Sequence, residues 1–193
     1  MRKTPIDMEN PIEIIVIELI SYIIEPFKKT NHTPNDLTTY SFIFGLISIY
    51  YLTNDKINSF IIFFLLSYFF DCFDGFYARK YNMVTEFGDY YDHTTDMIVL
   101  ISVFYIAYTK YKKYITFNII IIFLFAIFTA LAHMGCQNLF YQSNETLCNL
   151  NGLCPDISYI YITKYFGSIT SLLIIVSLIY YLDKQYKNDL ELN

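Results

Sequence analysis

Apolar residues arrive along this chain in blocks. Thr38–Thr53, Asn58–Phe70, Met97–Thr109, Ile115–Met134 and Ile160–Leu182 are each dominated by Ile, Leu, Phe and Tyr. Ile115–Met134 holds about 20 residues with no acid or base before His133, the length a helix needs to cross hydrocarbon. Asn58–Phe70 becomes long enough by continuing into the polar stretch after it, and Met97–Thr109 by starting near Gly88. Ile160–Leu182 carries a single lysine, Lys164. Lipid offers no partner to backbone amides, so blocks of this length predict helices; a barrel strand needs only about 9 to 11 residues. Tyr50, Tyr51, Tyr108, Tyr111, Tyr114, Tyr180 and Tyr181 sit at block ends, where an interfacial belt belongs. The pattern predicts an all-α, multi-pass transmembrane helical bundle in one domain. Residues 1–37 are its juxtamembrane segment, 38–182 the bundle and 183–193 a polar tail.

The segment before the bundle has a different pattern. "PIEIIVIELISYIIEPF" is apolar for about 14 residues between Pro11 and Pro26, too short to span. At helical spacing Glu13, Glu18, Ser21 and Glu25 fall within roughly 140° of one another, with Ile14 and Ile17 intruding. This predicts an amphipathic helix lying in the interface. A cleaved signal peptide is disfavoured, because Lys28, Lys29 and Pro34-Asn35 stand where a small-residue cleavage site belongs.

Composition agrees with lipid as part of the solvent. Hydrophobic residues make up 55% of the 193, only 16% are charged, and mean hydropathy is +0.37. A soluble domain of this size cannot bury that much apolar surface. The net charge of −5, with no basic patch, argues against a nucleic-acid partner. Lysines are shared between the predicted faces, so the positive-inside rule gives no orientation. Of the four cysteines, Cys136, Cys148 and Cys154 share one polar segment. Their spacing misses the short-loop zinc pattern, and ordinary thiols are expected over a disulfide. Asn144-Glu145-Thr146 is a glycosylation sequon by pattern.

The stretch "DCFDGFYARKYNMVTEFGDYYDHTTD", residues 71–96, breaks the apolar texture. Asp71, Asp74 and Ala78 stand at i, i+3 and i+7, on one face of a helix. Gly88, Asp92 and Asp96 stand at i, i+4 and i+8, along one stripe of a second helix. With Tyr81–Glu86 as the turn, four carboxylates can point into one space. Gly75 and Gly88 leave room for something bulky against the backbone. Such a cluster is costly: each charge at mid-span costs about 2.5–3.5 kcal/mol. Two carboxylates at 4 Å repel by about 4 kcal/mol at an effective dielectric of 20. A divalent cation offsets this, and hard oxygen ligands suit Mg²⁺ or Mn²⁺.

The spacing Asp71-x2-Asp74-Gly75-x2-Ala78-Arg79-x8-Gly88-x3-Asp92-x3-Asp96 resembles, without gap or substitution, the signature of the CDP-alcohol phosphotransferase family. Thr33-Pro34-Asn35-x2-Thr38 is similar to that family's entry into its first span. The resemblance covers residues 11 to 110, and beyond them only the hydrophobic pattern continues it. It implies a phospholipid-biosynthesis enzyme that moves a substituted phosphate from a CDP-alcohol to an acceptor alcohol and releases CMP. It further implies that Asp71, Asp74 and Asp92 hold two divalent ions, Mg²⁺ or Mn²⁺. Asp96 would be the general base with a share in the metal. Asn35, Gly75, Ala78, Arg79 and Gly88 would line the CDP site. Six spans are usual there, so five to six are expected, with the site facing the cytoplasm; a homodimer is left open.

Two positions bear on the acceptor. Met97 follows Asp96 where relatives using phosphorylated acceptors carry Arg or Lys. Asp92-His93 resembles the choline/ethanolamine branch. Two rival readings stay open: a divalent-cation transporter, against which Arg79 in the path argues, and a non-catalytic scaffold, which leaves an intact motif unexplained.

Overall fold

The computed structural model describes residues 2–141 and 148–192, all helix and connecting turns with no strand among them. The sequon at Asn144 lies outside the described residues. Seven α-helices are α1 (Pro11–Lys29), α2 (Pro34–Thr53), α3 (Ile57–Lys80), α4 (Glu86–Tyr111), α5 (Phe117–Tyr141), α6 (Ile160–Thr163) and α7 (Ser168–Leu192).

Their starts and stops follow local chemistry. Thr33 and Asp36 form a reciprocal capping box on α2, with Pro34 in the first turn. Asn10 caps α1 and Thr85 caps α4. The turns after α1, α2 and α3 each contain one residue in the left-handed region, Asn31, Asp55 and Asn82. Asn and Asp tolerate that conformation because their short side chains bond locally.

α2 and α3 form the most extensive helix pair. Ser41 Oγ donates to the Ser67 carbonyl at 2.9 Å and Ser67 Oγ to the Ser41 carbonyl at 2.8 Å, so small residues let the backbones approach. Gly45 does the same toward α4: a Cβ there would lie 2.6 Å from Val99 Cγ2.

Two apolar clusters result. One centres on Leu52, Phe60, Val103, Tyr111 and Ile179. The other joins Ile20 and Ile24 of α1 to Leu37, Phe73 and Tyr77. Beyond the first cluster, a polar latch fastens the helix ends. Tyr111 Oη donates to Asp183 Oδ1 at 2.8 Å, Lys187 Nζ pairs with Asp183 Oδ2 at 2.8 Å, and Lys110 Nζ pairs with Asp55 Oδ1 at 2.5 Å. Lys113 pairs with Asp189. The second cluster lies at the opposite end, beside the aspartates.

Three stretches are long and apolar enough to cross a membrane: Ile57–Lys80, Phe117–Phe140 and Ile157–Leu192. α2 and α4, of 20 and 26 residues, have the length. Their polar residues, the aspartates of α4 above all, keep them below that composition. Large apolar side chains such as Ile122, Phe125 and Phe128 face outward, as lipid contact requires.

Three expectations are corrected. The last block is not one helix: Lys164–Phe166 form a 3₁₀ turn and α7 restarts at Ser168. The cause lies across the interface, since a Cβ on Gly167 would lie 2.9 Å from His133 Cδ2 of α5. The tail from 183 continues α7 to Leu192, because Asp183 is buried in the latch. Cys136 and Cys154 form a disulfide, which the last turns of α5 and the returning segment bring together. Cys72 is a free thiol.

α1 also differs from a simple interfacial helix. Its outward stripe, Ile15, Leu19 and Tyr22, is apolar, while Glu13 turns inward and Glu25 pairs with Lys80 at 3.2 Å.

Candidate active site

α3 ends and α4 begins at the same end of the bundle, and the short Tyr81–Thr85 turn brings their polar faces together. Carboxylate oxygens of Asp71, Asp74 and Asp92 lie within 4.8 Å of one another. Asp96 lies close to Asp71, one turn beyond Asp92 on α4. Asp71, Asp74 and Asp92 border a cavity of about 290 Å³, roofed by α1. Of the nine residues expected at the site, Asn35, Asp71, Asp74, Gly75, Ala78, Arg79, Gly88 and Asp92 line it. Asp96 does not; it stands behind Asp71.

The glycines earn their places sterically. A Cβ on Gly88 would lie 3.1 Å from Asn35 Oδ1 and 3.0 Å from Thr85 Oγ1, so a side chain would push Asn35 away. A Cβ on Gly75 would lie 3.2 Å from Arg79 Nη1, because the guanidinium folds back over that glycine.

Around the carboxylates stand groups that orient them. Thr38 Oγ1 donates to Asp74 Oδ2 at 2.5 Å, with both residues buried. His93 sits between two aspartates, its Nε2 at 3.2 Å from Asp89 Oδ1 and its Nδ1 at 3.8 Å from Asp92 Oδ2. Asp92 Oδ1 is buried with no hydrogen-bond partner. A buried carboxylate oxygen without a donor is costly. Three converging carboxylates, one with an unmatched oxygen, fit a hard divalent cation.

Sequence reasoning missed part of the wall. Glu9 and Glu13 of the N-terminal segment, Tyr68 one turn before Asp71, Gln137 of α5 and Ser168 of α7 all line the cavity. Tyr68 Oη donates to Glu13 Oε1 at 3.1 Å. Burial pushes the Glu13 carboxyl up to about 7 against the opposing Tyr68 bond. Burial also raises Glu9, which Arg2 partly offsets. The sequence placed Glu13 in the polar stripe of α1 with Glu18 and Glu25, which gave no sign that it alone turns inward; Gln137 and Ser168 carried no signal.

An all-helical bundle with carboxylates from two adjacent helices over a glycine-bordered cavity defines a class of helical membrane protein whose site could hold a metal ion. The chain belongs to the CDP-alcohol phosphatidyltransferase family, whose pattern it matches over residues 31–186. It is 37% identical over 68 residues to a CDP-diacylglycerol–serine O-phosphatidyltransferase of Bacillus subtilis (strain 168), covering 35% of this chain and 38% of that protein. It is 35% identical over 86 residues to a CDP-diacylglycerol–inositol 3-phosphatidyltransferase of Candida albicans, covering 42% and 37% respectively. An uncharacterized protein of Aquifex aeolicus is 36% identical over 80 residues, covering 41% and 40%. The matched regions thus span about two fifths of these relatives. No solved structure matches the chain.

Proposed function

We propose that this protein is a divalent-metal-dependent phosphotransferase of phospholipid synthesis, moving a substituted phosphate from a CDP-alcohol to an acceptor alcohol. One observation carries the reading: Asp71, Asp74 and Asp92 converge on a cavity whose wall holds Gly75, Ala78, Arg79 and Gly88. The matched relatives act on CDP-diacylglycerol by their names, which makes that the first donor to try.

Asp71, Asp74 and Asp92 would hold two Mg²⁺ or Mn²⁺ ions. Bound ions would neutralise the pyrophosphate and stabilise charge on the departing CMP. Arg79 offers a planar fork of donors to a phosphate oxygen, and Gly75 and Gly88 let the nucleotide approach the backbone. Asn35, held beside Gly88, presents its amide to the same region. The acceptor oxygen attacks the phosphorus that carries the donor alcohol, the bond from that phosphorus to the CMP oxygen breaks, and the hydroxyl proton passes to Asp96. A carboxylate is needed for that role, since the attacking oxygen must shed a proton as its bond forms, and Asp96 follows Asp92 by one turn on the same stripe of α4.

Detergent-solubilised protein should release CMP from CDP-diacylglycerol or a CDP-amino alcohol when Mg²⁺ or Mn²⁺ and an acceptor are supplied. Asp74→Ala should abolish release and weaken donor binding. Normal turnover by Asp74→Ala in excess chelator would sink the metal assignment. We place the cavity on the cytoplasmic side, where soluble CDP-linked substrates are made; labelling cysteines introduced at Tyr81–Thr85 from the opposite side only would reverse this.

A further inference from the structure

The charges lining the cavity balance two divalent ions and leave no positive charge over for a second phosphate. Glu9, Glu13, Asp71, Asp74, Asp89 and Asp92 line it, against Lys3 and Arg79 as fixed cations. Two divalent ions offset the charge of four carboxylates, and the donor pyrophosphate then adds its own. An acceptor bearing a phosphate would meet repulsion, since among the described residues Lys3 and Arg79 are the only lysine and arginine in the wall. An acceptor bearing a positive charge would be drawn in.

Glu13 is placed to receive that charge. It projects from α1 into the cavity while Arg2 engages Glu9, its neighbour one turn earlier. The hydrogen-bond partner of Glu13 is a neutral donor, the Tyr68 hydroxyl at 3.1 Å. No lysine or arginine among the described residues forms an ion pair with it. Tyr68 precedes Asp71 by three residues on α3, a rise of about 4.5 Å. Glu13 therefore lines the same cavity as the reaction centre, bonded to a tyrosine that stands one α3 turn before Asp71.

We infer that Glu13 is the acceptor-specificity residue and that the acceptor is a small alcohol carrying an ammonium group. The inference rests on the phosphotransferase reading and adds the substrate class. Held by Tyr68, the Glu13 carboxylate receives the ammonium and thereby directs the hydroxyl of the same molecule toward Asp71 and Asp96. The transfer step is unchanged: the amine keeps its protons and only the hydroxyl reacts. Burial that pushes Glu13 up to about 7 fits this arrangement, since an ammonium does for the buried carboxylate what a proton otherwise does.

The test is CMP release by the full-length protein with CDP-diacylglycerol and Mn²⁺, across ethanolamine, serine, glycerol, inositol and glycerol 3-phosphate. The amine-bearing alcohols should be preferred. Glu13→Gln keeps the shape and accepts from Tyr68 but lacks the charge. It should raise the KM for the amine acceptor about 10- to 100-fold while leaving kcat and the donor KM within a few-fold. Glu13→Asp should recover part of the loss. In the wild-type protein, ethylammonium should compete with the acceptor and not with the donor, a readout that needs no variant to fold. Preference for glycerol 3-phosphate or inositol, or an unchanged KM in Glu13→Gln, overturns the inference and leaves the phosphotransferase reading standing. A fall in kcat at constant KM makes Glu13 a proton acceptor and also overturns it. No CMP release with any acceptor defeats the phosphotransferase reading itself.

Discussion

Replacing Thr38 by Val removes one hydroxyl and nearly preserves shape. That hydroxyl has a single proton and two acceptors in reach, Asp74 Oδ2 at 2.5 Å and the Pro34 carbonyl at 3.2 Å. The shorter bond, to a carboxylate, is the stronger. Both Thr38 and Asp74 are buried, so water does not substitute for the lost donor. A hydrogen bond to a charged group contributes about 1.5–3 kcal/mol, equivalent to about 10- to 150-fold in an equilibrium constant. Groups that orient a ligating carboxylate typically contribute 10- to 100-fold to metal affinity, which agrees. The assay is CMP release titrated with Mn²⁺. Thr38→Val should shift the half-activating concentration upward by about 10-fold or more, with turnover at saturating metal reduced far less. Thr38→Ser, which keeps the donor, should behave like the wild type. A Val variant with an unshifted midpoint, or a Ser variant as impaired as Val, would refute the reasoning. The first would detach Asp74 from the metal, and the second would assign Thr38 to packing by its methyl group.

Other outcomes are expected from the same geometry. Asp96→Asn should lower kcat by about 10²–10⁴ and keep donor binding within several-fold; lost binding with unchanged turnover would instead make Asp96 a ligand. Asp183→Ala leaves the buried Tyr111 hydroxyl without its acceptor and frees Lys187, which is 41% exposed and so contributes little. Thermal unfolding in detergent should then drop by several degrees, about 1–3 kcal/mol, and an unchanged Tm would show the latch to be dispensable. Because the folded-state pKa of Glu13 is raised to about 7 from 4.5, the native state binds more protons than the unfolded one between those values. Stability of the substrate-free protein should therefore fall as pH rises through that window, with Tyr68, Glu9 and Asp71 facing the group. Glu13→Gln should flatten the decline, so parallel Tm–pH curves for the two proteins would contradict it.

What could be read from the sequence was whatever depends on one helix or one turn. Asp71 and Asp74, or Asp92 and Asp96, repeat with the helical period, and the turn between the helices is short enough to force their faces together. The cap at Thr33 is equally local. What depends on distant contacts was hidden. Gly167 interrupts an apolar run that looks continuous until His133 is seen occupying the space a side chain would need. Asp183 looked like the start of a solvated tail because its partner, Tyr111, lies 72 positions away. Cysteine spacing says nothing about pairing, so the Cys136–Cys154 bond escaped. Gln137 and Ser168 are ordinary polar residues that only tertiary packing turns toward the carboxylates.

The disulfide gives the molecule a native marker of sidedness. Cys136 immediately precedes Gln137 of the cavity wall, so the sulfur bridge and the carboxylate cluster share one end of the bundle. Disulfides persist in oxidising compartments and are rare in the cytosol, which pulls against a cytoplasmic mouth. The contest can be decided without an engineered residue. After free thiols, Cys72 among them, are capped with a membrane-permeant alkylating agent, an impermeant reductant followed by an impermeant thiol tag will mark the pair from one side of a sealed vesicle. The side that gains the tag is the side from which CDP-linked donors must enter. A bridge already reduced in the cell would likewise mark the mouth as cytosolic.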